Sequence, residues 1–204
     1  MIIKLNATFE VLFQLDYLER LWESYPIIPW KDKEPVLRTM NWRFYGGTYQ
    51  PTGIFAISHN LADSEPYFVK YAETFFEDLL GSKPPKEKIQ LIRTQGSIVP
   101  HRDIGHGCRI NVGLINSDKA ITRFHLKDDG TDAAFSTFKE QQNQNDVRCE
   151  PGSAYLLDNN IMHEVFSDTT EPRYLVTCLI KDPFDITLSR VNPARLPLPS
   201  RTNS

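Results

Sequence analysis

The clearest strand pattern in the sequence lies in PGSAYLLDNNIMHEVFSDTTEPRYLVTCLI, residues 151–180. It contains three short apolar segments, SAYLLD, MHEVF and RYLVTCLI, that are separated by the turn formers Asp158-Asn159-Asn160 and by the segment SDTTEP. Short segments rich in aliphatic and aromatic residues, punctuated in this way, are typical of antiparallel strands. The stretch therefore predicts three consecutive strands joined by tight turns.

The same pattern extends back to residue 88. Four more segments predict strands, and turn formers such as Gly96, Asn116-Ser117-Asp118, Asp128-Asp129-Gly130 and Pro151-Gly152 separate them. These segments are KIQLIRTQ, CRINVGLI, ITRFHL and AAFSTFKE. Seven short strands at this spacing predict a mainly β fold, an antiparallel barrel or jelly roll with helices packed outside it.

The first ninety residues predict mixed structure. LDYLERLWESY, ended by Pro26, and YFVKYAETFFEDLLG, ended by Gly81, have the apolar spacing of amphipathic helices. Between them, NWRFYGGTYQPTGIFAIS predicts strands around turns at Gly46-Gly47 and Pro51-Thr52-Gly53.

Chain length favours a single domain, 1–204. In it, residues 1–87 pack on the barrel, residues 88–182 form the core with the functional site, and residues 183–204 form a C-terminal extension. The Pro-rich tail NPARLPLPSRTNS is expected to be a strap or a frayed end.

Composition narrows the possible partners and compartment. The chain has 40% hydrophobic and 24% charged residues and a net charge of -3, which argues against nucleic acid as a partner. Three cysteines without a C-x-x-C spacing argue against a disulfide framework and favour a reducing cytoplasm. We expect no signal peptide, and no apolar run approaches the ~18 residues of a membrane span.

His101 and Asp103 in the segment VPHRD are the first candidate metal ligands. They are two residues apart, so on an extended chain both side chains point to the same face. A third imidazole would complete a set of two histidines and one carboxylate, which suits Fe(II). The pair alone is weak evidence, because with 26 acids among 204 residues each histidine has roughly a one-in-eight chance of such a neighbour.

His163 and Arg173 strengthen this interpretation. His163 begins one predicted strand, SDTTEP turns the chain, and Arg173 opens the next strand, so both side chains can face the barrel interior. An arginine in an otherwise apolar strand needs an anionic partner, because an unpaired buried guanidinium costs several kcal/mol. Its planar fork suits a carboxylate.

Taken together, H-x-D, a histidine sixty residues after the acid and an arginine ten residues beyond it resemble the Fe(II)- and 2-oxoglutarate-dependent oxygenases. The fold of that family is a double-stranded β-helix. More narrowly, VPHRD, CRINVGLI and PGSAYLLDNNIMHEVFSD are similar to the aspartyl/asparaginyl β-hydroxylases and the bacterial free-proline hydroxylases. The resemblance covers residues 89–180.

The resemblance implies a site and its cofactors. The implied iron ligands are His101, Asp103 and His163. The implied contacts to 2-oxoglutarate, the cosubstrate used with dioxygen, are Arg173, Arg109, Asn111 and His125. Asn111 stands where the β-hydroxylases have a histidine. Asp103 matches the proline hydroxylases, whereas the vertebrate-type β-hydroxylases lack an acid there.

The implied reaction is hydroxylation of a C–H bond in a free amino acid or in an amino-acid residue of a peptide or protein. Arg102, Arg123 and His106 are candidates for binding a substrate carboxylate. Three alternatives stay open: a cupin-like enzyme that uses Zn or Mn without a cosubstrate, a non-catalytic binding module on the same barrel, and a cysteine nucleophile formed by Cys108 with His106.

Overall fold

The computed structural model describes residues 2–11, 13–24, 27–28, 38–45, 48–56, 66–85, 88–103, 107–126, 143–167, 169 and 171–197. Within them, the strands are β1 (Ile2–Thr8), β2 (Ile27–Ile28), β3 (Arg38–Tyr45), β4 (Thr48–Ala56), β5 (Ile89–Thr94), β6 (Ile98–His101), β7 (Cys108–Gly113), β8 (Ala120–Leu126), β9 (Asn143–Val147), β10 (Ser153–Asp158), β11 (His163–Ser167) and β12 (Arg173–Ile180). The helices are α1 (Leu15–Ser24), α2 (Pro66–Leu80) and α3 (Phe184–Arg190), with short 3-10 turns at Ser117–Lys119 and Pro193–Arg195.

The strands form two sheets. The large sheet has the order β1-β10-β7-β12-β5-β4-β3-β2, and the small sheet has the order β6-β11-β8-β9. Apart from the parallel pair of β2 and β3, neighbouring strands are antiparallel. β12 lies between β7 and β5, in the middle of the large sheet.

The two faces of the large sheet pack against different layers. Its inner face contributes a cluster of apolar side chains that packs with Phe124 of the small sheet. These side chains are Ile92, Tyr155, Leu157 and Leu175. Its outer face packs against the helices, because the apolar stripe of α2 buries Phe68, Ala72 and Phe76 against that surface. α2 ends as expected before Gly81, whose φ of 68° is a left-handed conformation that favours glycine.

Alternate side chains of β12 point to opposite faces of the large sheet, which determines which of them enter the space between the two sheets. Tyr174, Val176 and Cys178 belong to the helix-side core, whereas Leu175 belongs to the core between the sheets. Because successive strand residues point to opposite faces, Arg173 and Thr177 share the inner face with Leu175. Two polar residues thus enter the space between the sheets.

The structure corrects the sequence prediction in the N-terminal half. The predicted turn at Pro51-Thr52-Gly53 is wrong, because these residues lie inside β4. Thr52 pairs with Thr94 of β5. Pro51, one residue before this first β4–β5 pair, pairs with Trp42 of β3. Pairing on both sides of a strand overrides local turn propensity. Strand β1, which covers the edge of β10, is absent from the sequence prediction.

Several predicted features lie outside the described residues. These are the strand AAFSTFKE and the turns at Gly46-Gly47 and Asp128-Asp129-Gly130. The beginning of the tail is a strap, since the backbone N–H of Asn192 donates to the carbonyl of Leu79. Among the described helices, none is long and apolar enough to cross a membrane.

Candidate metal centre

Three side chains of the small sheet and its following loop form a cluster with metal-ligand chemistry. His101 ends β6, His163 begins β11, and the two residues are paired across these strands. Asp103 follows two residues after His101, and its backbone N–H donates to the carbonyl of Asn159 at 3.2 Å. One potential ligand atom from each of the three side chains lies within 4.8 Å of the others.

Hydrogen bonding orients the His163 ring. Its Nδ1 lies 2.9 Å from the carbonyl oxygen of Ile161, and a carbonyl can only accept, so Nδ1 carries the proton. Nε2 therefore presents its lone pair towards the Asp103 carboxylate, 3.4 Å away. Phe124 stacks on the ring at 5.4 Å between centroids, and the His101 ring lies at 4.4 Å.

The three candidate ligands differ in their exposure. The His163 side chain is 4% exposed, that of His101 is 16% exposed and that of Asp103 is 24% exposed. The cluster is therefore anchored in the interior at His163 and opens towards solvent at Asp103. Two imidazole nitrogens and one carboxylate are a donor set that suits Fe(II), and the same donors also bind Zn or Mn.

Arg109 connects this cluster to the large sheet. Its strand, β7, pairs with β10 and β12, and Arg109 lies opposite Leu157 of the inner face. Its Nη2 donates to the Asp103 carboxylate and lies 3.1 Å from Nε2 of His163. The candidate ligands are thus in direct contact with the inner face of the large sheet.

Arg173 is a buried cation on the same inner face. It is 5% exposed, and its Nε donates to Oγ1 of Thr94 on the neighbouring strand. In the part of the chain that the structure describes, no carboxylate forms an ion pair with it. Burial lowers the pKa of Arg173 to about 10. An unpaired buried guanidinium is costly to the fold, so this position is suited to receive an anionic ligand.

Two further polar side chains lie between the arginines. Thr177 of β12 and Asn111 of β7 are register partners on the inner face. Both are buried, and among the residues that the structure describes Oγ1 of Thr177 and Oδ1 of Asn111 have no hydrogen-bond partner. Buried polar atoms are nearly always paired, so these two point to a bound group or water. We refer to Arg109, Asn111, Thr177 and Arg173 as the polar strip.

Sequence reasoning identified three members of the polar strip and missed Thr177 and the supporting Thr94. The signal that could have found Thr177 is the period of two in RYLVTCLI, which places it on the same face as Arg173. A threonine in an apolar strand is common enough that the period alone does not single it out.

The structure does not bring His125 to this site. Its Nε2 lies 3.4 Å from Oε1 of Glu164, which follows His163 in β11 and therefore points to the opposite face of the small sheet. Arg123 lies on that outer face as well and is paired with Asp146 at 2.9 Å. The expectations that His125 faces the cosubstrate and that Arg123 binds substrate are corrected accordingly.

The remaining candidates divide between solvent and core. Arg102 is exposed, and His106 lies outside the described residues. Cys108 is fully buried, and burial raises the pKa of its thiol to about 11, which removes the basis for a cysteine nucleophile.

Comparison with known proteins gives a likeness of fold. No protein-family model matches the chain, and no curated protein sequence matches it. A solved structure of an oxidoreductase of the 2OG-Fe(II) oxygenase family from Burkholderia pseudomallei is 14% identical in sequence. The match covers 81% of this chain and 77% of that one, with a TM-score of 0.51. The chain has the double-stranded β-helix fold.

A second solved structure supports the same conclusion. The epimerase SnoN of nogalamycin biosynthesis, in complex with Fe3+, alpha ketoglutarate and nogalamycin RO, is 14% identical. The match covers 98% of this chain and 91% of that one, with a TM-score of 0.53. The prediction of a mainly β, jelly-roll fold with flanking helices is confirmed. Within this double-stranded β-helix, the candidate ligands and the polar strip lie between the two sheets.

Proposed function

We propose that the protein is an Fe(II)- and 2-oxoglutarate-dependent oxygenase. The observation that carries the proposal is that one interior contains both a His-Asp-His cluster and Arg173, a buried cation on the facing sheet. A metal centre alone fits many enzymes. A metal centre together with a buried arginine that has no carboxylate partner among the described residues fits an enzyme that also binds an anion.

The donor set fits Fe(II). His101, Asp103 and His163 would hold the ion, and when bound it would couple oxidative decarboxylation of 2-oxoglutarate by dioxygen to oxidation of a substrate C–H bond. The carbonyl of Ile161 accepts from Nδ1 of His163, which would leave the Nε2 lone pair free to bind the ion, and the backbone contact to Asn159 would help to position Asp103.

The polar strip would bind the cosubstrate. Arg173 would pair with the distal carboxylate through its terminal amino groups, because its Nε is already held by Thr94. Thr177 and Asn111 would give polar contacts along the chain of the ligand, towards Arg109 and the metal. Binding a dianion here would neutralise the charge of Arg173 and use polar atoms that lack partners.

The substrate class that we propose is an amino acid, free or within a peptide or protein, and the reaction is hydroxylation. Support comes from the resemblance of VPHRD and HEVFSD to the aspartyl/asparaginyl β-hydroxylases and the free-proline hydroxylases. SnoN is an epimerase, so the product must be identified and not only the consumption of 2-oxoglutarate.

The organisation that we propose is one domain, in which residues 1–87 and the loops at the end of the barrel supply substrate contacts. We also propose a cytoplasmic location, because the three cysteines are buried and free. With a net charge of -3, the chain is not expected to bind nucleic acid.

The test is conversion of 2-oxoglutarate to succinate by the Fe(II)-loaded protein across a panel of amino acids and short peptides, with product analysis. We expect substrate-stimulated turnover that is lost in His163→Ala and strongly reduced in Arg173→Met. Metal binding without any effect of 2-oxoglutarate would instead favour a cupin-like enzyme that uses Zn or Mn. Ligand binding that does not need a metal would favour a non-catalytic module.

A further inference from the structure

The guanidinium of Arg109 contacts two of the three candidate metal ligands, Asp103 and His163. Its Nη2 donates to Oδ2 of Asp103 and lies 3.1 Å from Nε2 of His163. The Arg109 side chain is 15% exposed, so this contact is largely shielded from water. The role of this contact, which rests on the proposed function, is in the control of metal binding at the same site.

The contact with His163 excludes metal coordination. Because Nδ1 of His163 donates to the carbonyl of Ile161, Nε2 is the acceptor nitrogen and has a single lone pair in the ring plane. That lone pair can accept from Arg109 or bind a metal ion, but not both. A carboxylate has about four lone-pair sites, so Asp103 could keep Arg109 as a partner while it binds a metal. The conflict therefore lies at His163.

The polar strip provides polar atoms that could receive the Arg109 guanidinium away from His163. Asn111 is two residues further on the same face of β7, and Thr177 lies opposite it on β12. Unpartnered polar atoms mark this part of the interior as able to hold a charged group. A carboxylate bound there would offer Arg109 a partner of the same kind as Asp103, at a distance from His163.

We propose that Arg109 couples metal binding to dicarboxylate binding. It competes with the metal ion for His163, and a carboxylate in the polar strip relieves this competition by pairing with the guanidinium. Arg109 is thus a positioning residue whose partner changes as the site fills. The metal and a dicarboxylate then bind cooperatively even when the dicarboxylate cannot chelate the metal.

The test uses Co2+ as the metal probe and glutarate as a dicarboxylate without the keto group needed for chelation. Affinity for Co2+ is measured by absorbance and calorimetry, with and without glutarate. We expect glutarate to increase the Co2+ affinity of the wild type. We expect Arg109→Met to bind Co2+ on the order of 10- to 100-fold more tightly than the wild type without glutarate, the range set by loss of one charge-assisted hydrogen bond, and to show no glutarate effect.

Two further variants separate direct competition from general electrostatics. Arg109→Lys keeps the positive charge on a shorter side chain, whose ammonium falls short of the position that Nη2 of Arg109 occupies beside His163, so direct competition predicts tighter Co2+ binding than in the wild type. Arg123→Met removes the same charge from the outer face of the small sheet, where Arg123 pairs with Asp146, and should leave Co2+ affinity unchanged. Thermal melting of each variant checks that it is folded.

The outcomes are distinguishable. Weaker or unchanged Co2+ affinity in Arg109→Met, or wild-type affinity in Arg109→Lys, overturns the coupling role while leaving the proposed function intact. If the wild type binds no Co2+, or binds it equally well after His163→Ala, the proposed function and the coupling role fail together.

Discussion

Two buried arginines on neighbouring strands should respond in opposite ways to the same substitution. Arg93 of β5 is 8% exposed, faces the helices and is bonded to both carboxylate oxygens of Glu19, at 2.9 and 3.0 Å. Arg173 of β12 is 5% exposed and faces the space between the sheets, and within the described part of the chain its one hydrogen-bond partner is Thr94. We predict that Arg93→Met destabilises the protein strongly and that Arg173→Met does not.

The magnitude follows from the buried charge. Burial lowers the pKa of Arg173 from 12.5 to about 10, which corresponds to about 3 kcal/mol against the charged form. Since the folded-state pKa of this base lies below the unfolded value, the cost is fully present at neutral pH and declines only as pH rises above about 10. Loss of the bond to Thr94 takes back about 1 kcal/mol. We therefore expect the free energy of unfolding of Arg173→Met to rise by about 1 to 2 kcal/mol.

Arg93→Met has the opposite expectation. The substitution leaves the carboxylate of Glu19, a half-buried residue of α1, without its cation. Removing one partner of a buried ion pair typically costs about 3 to 5 kcal/mol, and the partial exposure of Glu19 places the expected loss at or below the lower end of that range, about 3 kcal/mol or less.

The assay is urea unfolding of the wild type and both variants at neutral pH, repeated with Zn2+ and 2-oxoglutarate. The ligands should stabilise the wild type and Arg93→Met, and 2-oxoglutarate at the same concentration should add much less stability to Arg173→Met. If Arg173→Met loses as much stability as Arg93→Met, the charge of Arg173 is compensated within the fold and is not reserved for a ligand.

Three further predictions concern single features. Thr177→Val should weaken 2-oxoglutarate binding several-fold in calorimetry and leave the free energy of unfolding unchanged or about 1 kcal/mol higher, because it removes a buried hydroxyl without a partner; a marked loss of stability would contradict this. Burial raises the pKa of Cys108 to about 11 and that of Cys178 to about 12, so neither thiol should react with a thiol reagent at mildly alkaline pH until the chain unfolds; rapid labelling of native protein would refute it. Burial raises the pKa of Glu19, but hydrogen bonds from Arg93 and Tyr174 outweigh that effect and lower it overall. The free energy of unfolding should therefore fall as pH drops below about 4.5, and Glu19→Gln should flatten that decline in urea titrations.

The features that the sequence predicted well are those that depend on local spacing. His101 and Asp103 share a face because they are two residues apart, and His163 and Arg173 flank a turn between consecutive strands. The burial of Arg173 could be anticipated because the residues that follow it in its strand are almost all apolar, and such a strand is usually buried on both faces.

The features that could not be predicted depend on which strands become neighbours. Thr94 supports Arg173 only because β5 pairs with β12, across a sequence separation of 79 residues. The orientation of His125 depends on the face that β8 turns to the interior, and the pattern of ITRFHL is ambiguous in this respect. Pro51 has the local signature of a turn, and only its pairing with β3 shows that it lies in a strand.

Anaerobic titration of the Fe(II)-loaded protein with 2-oxoglutarate, followed by visible absorbance, tests whether the His-Asp-His cluster and Arg173 form one metal and cosubstrate site. A metal centre formed by His101, Asp103 and His163 beside Arg173 predicts a charge-transfer band in the wild type. We expect no band in His163→Ala and, in Arg173→Met, a band that requires on the order of 100-fold more 2-oxoglutarate. Absence of the band in the wild type, or a band that persists unchanged in His163→Ala, would contradict the account.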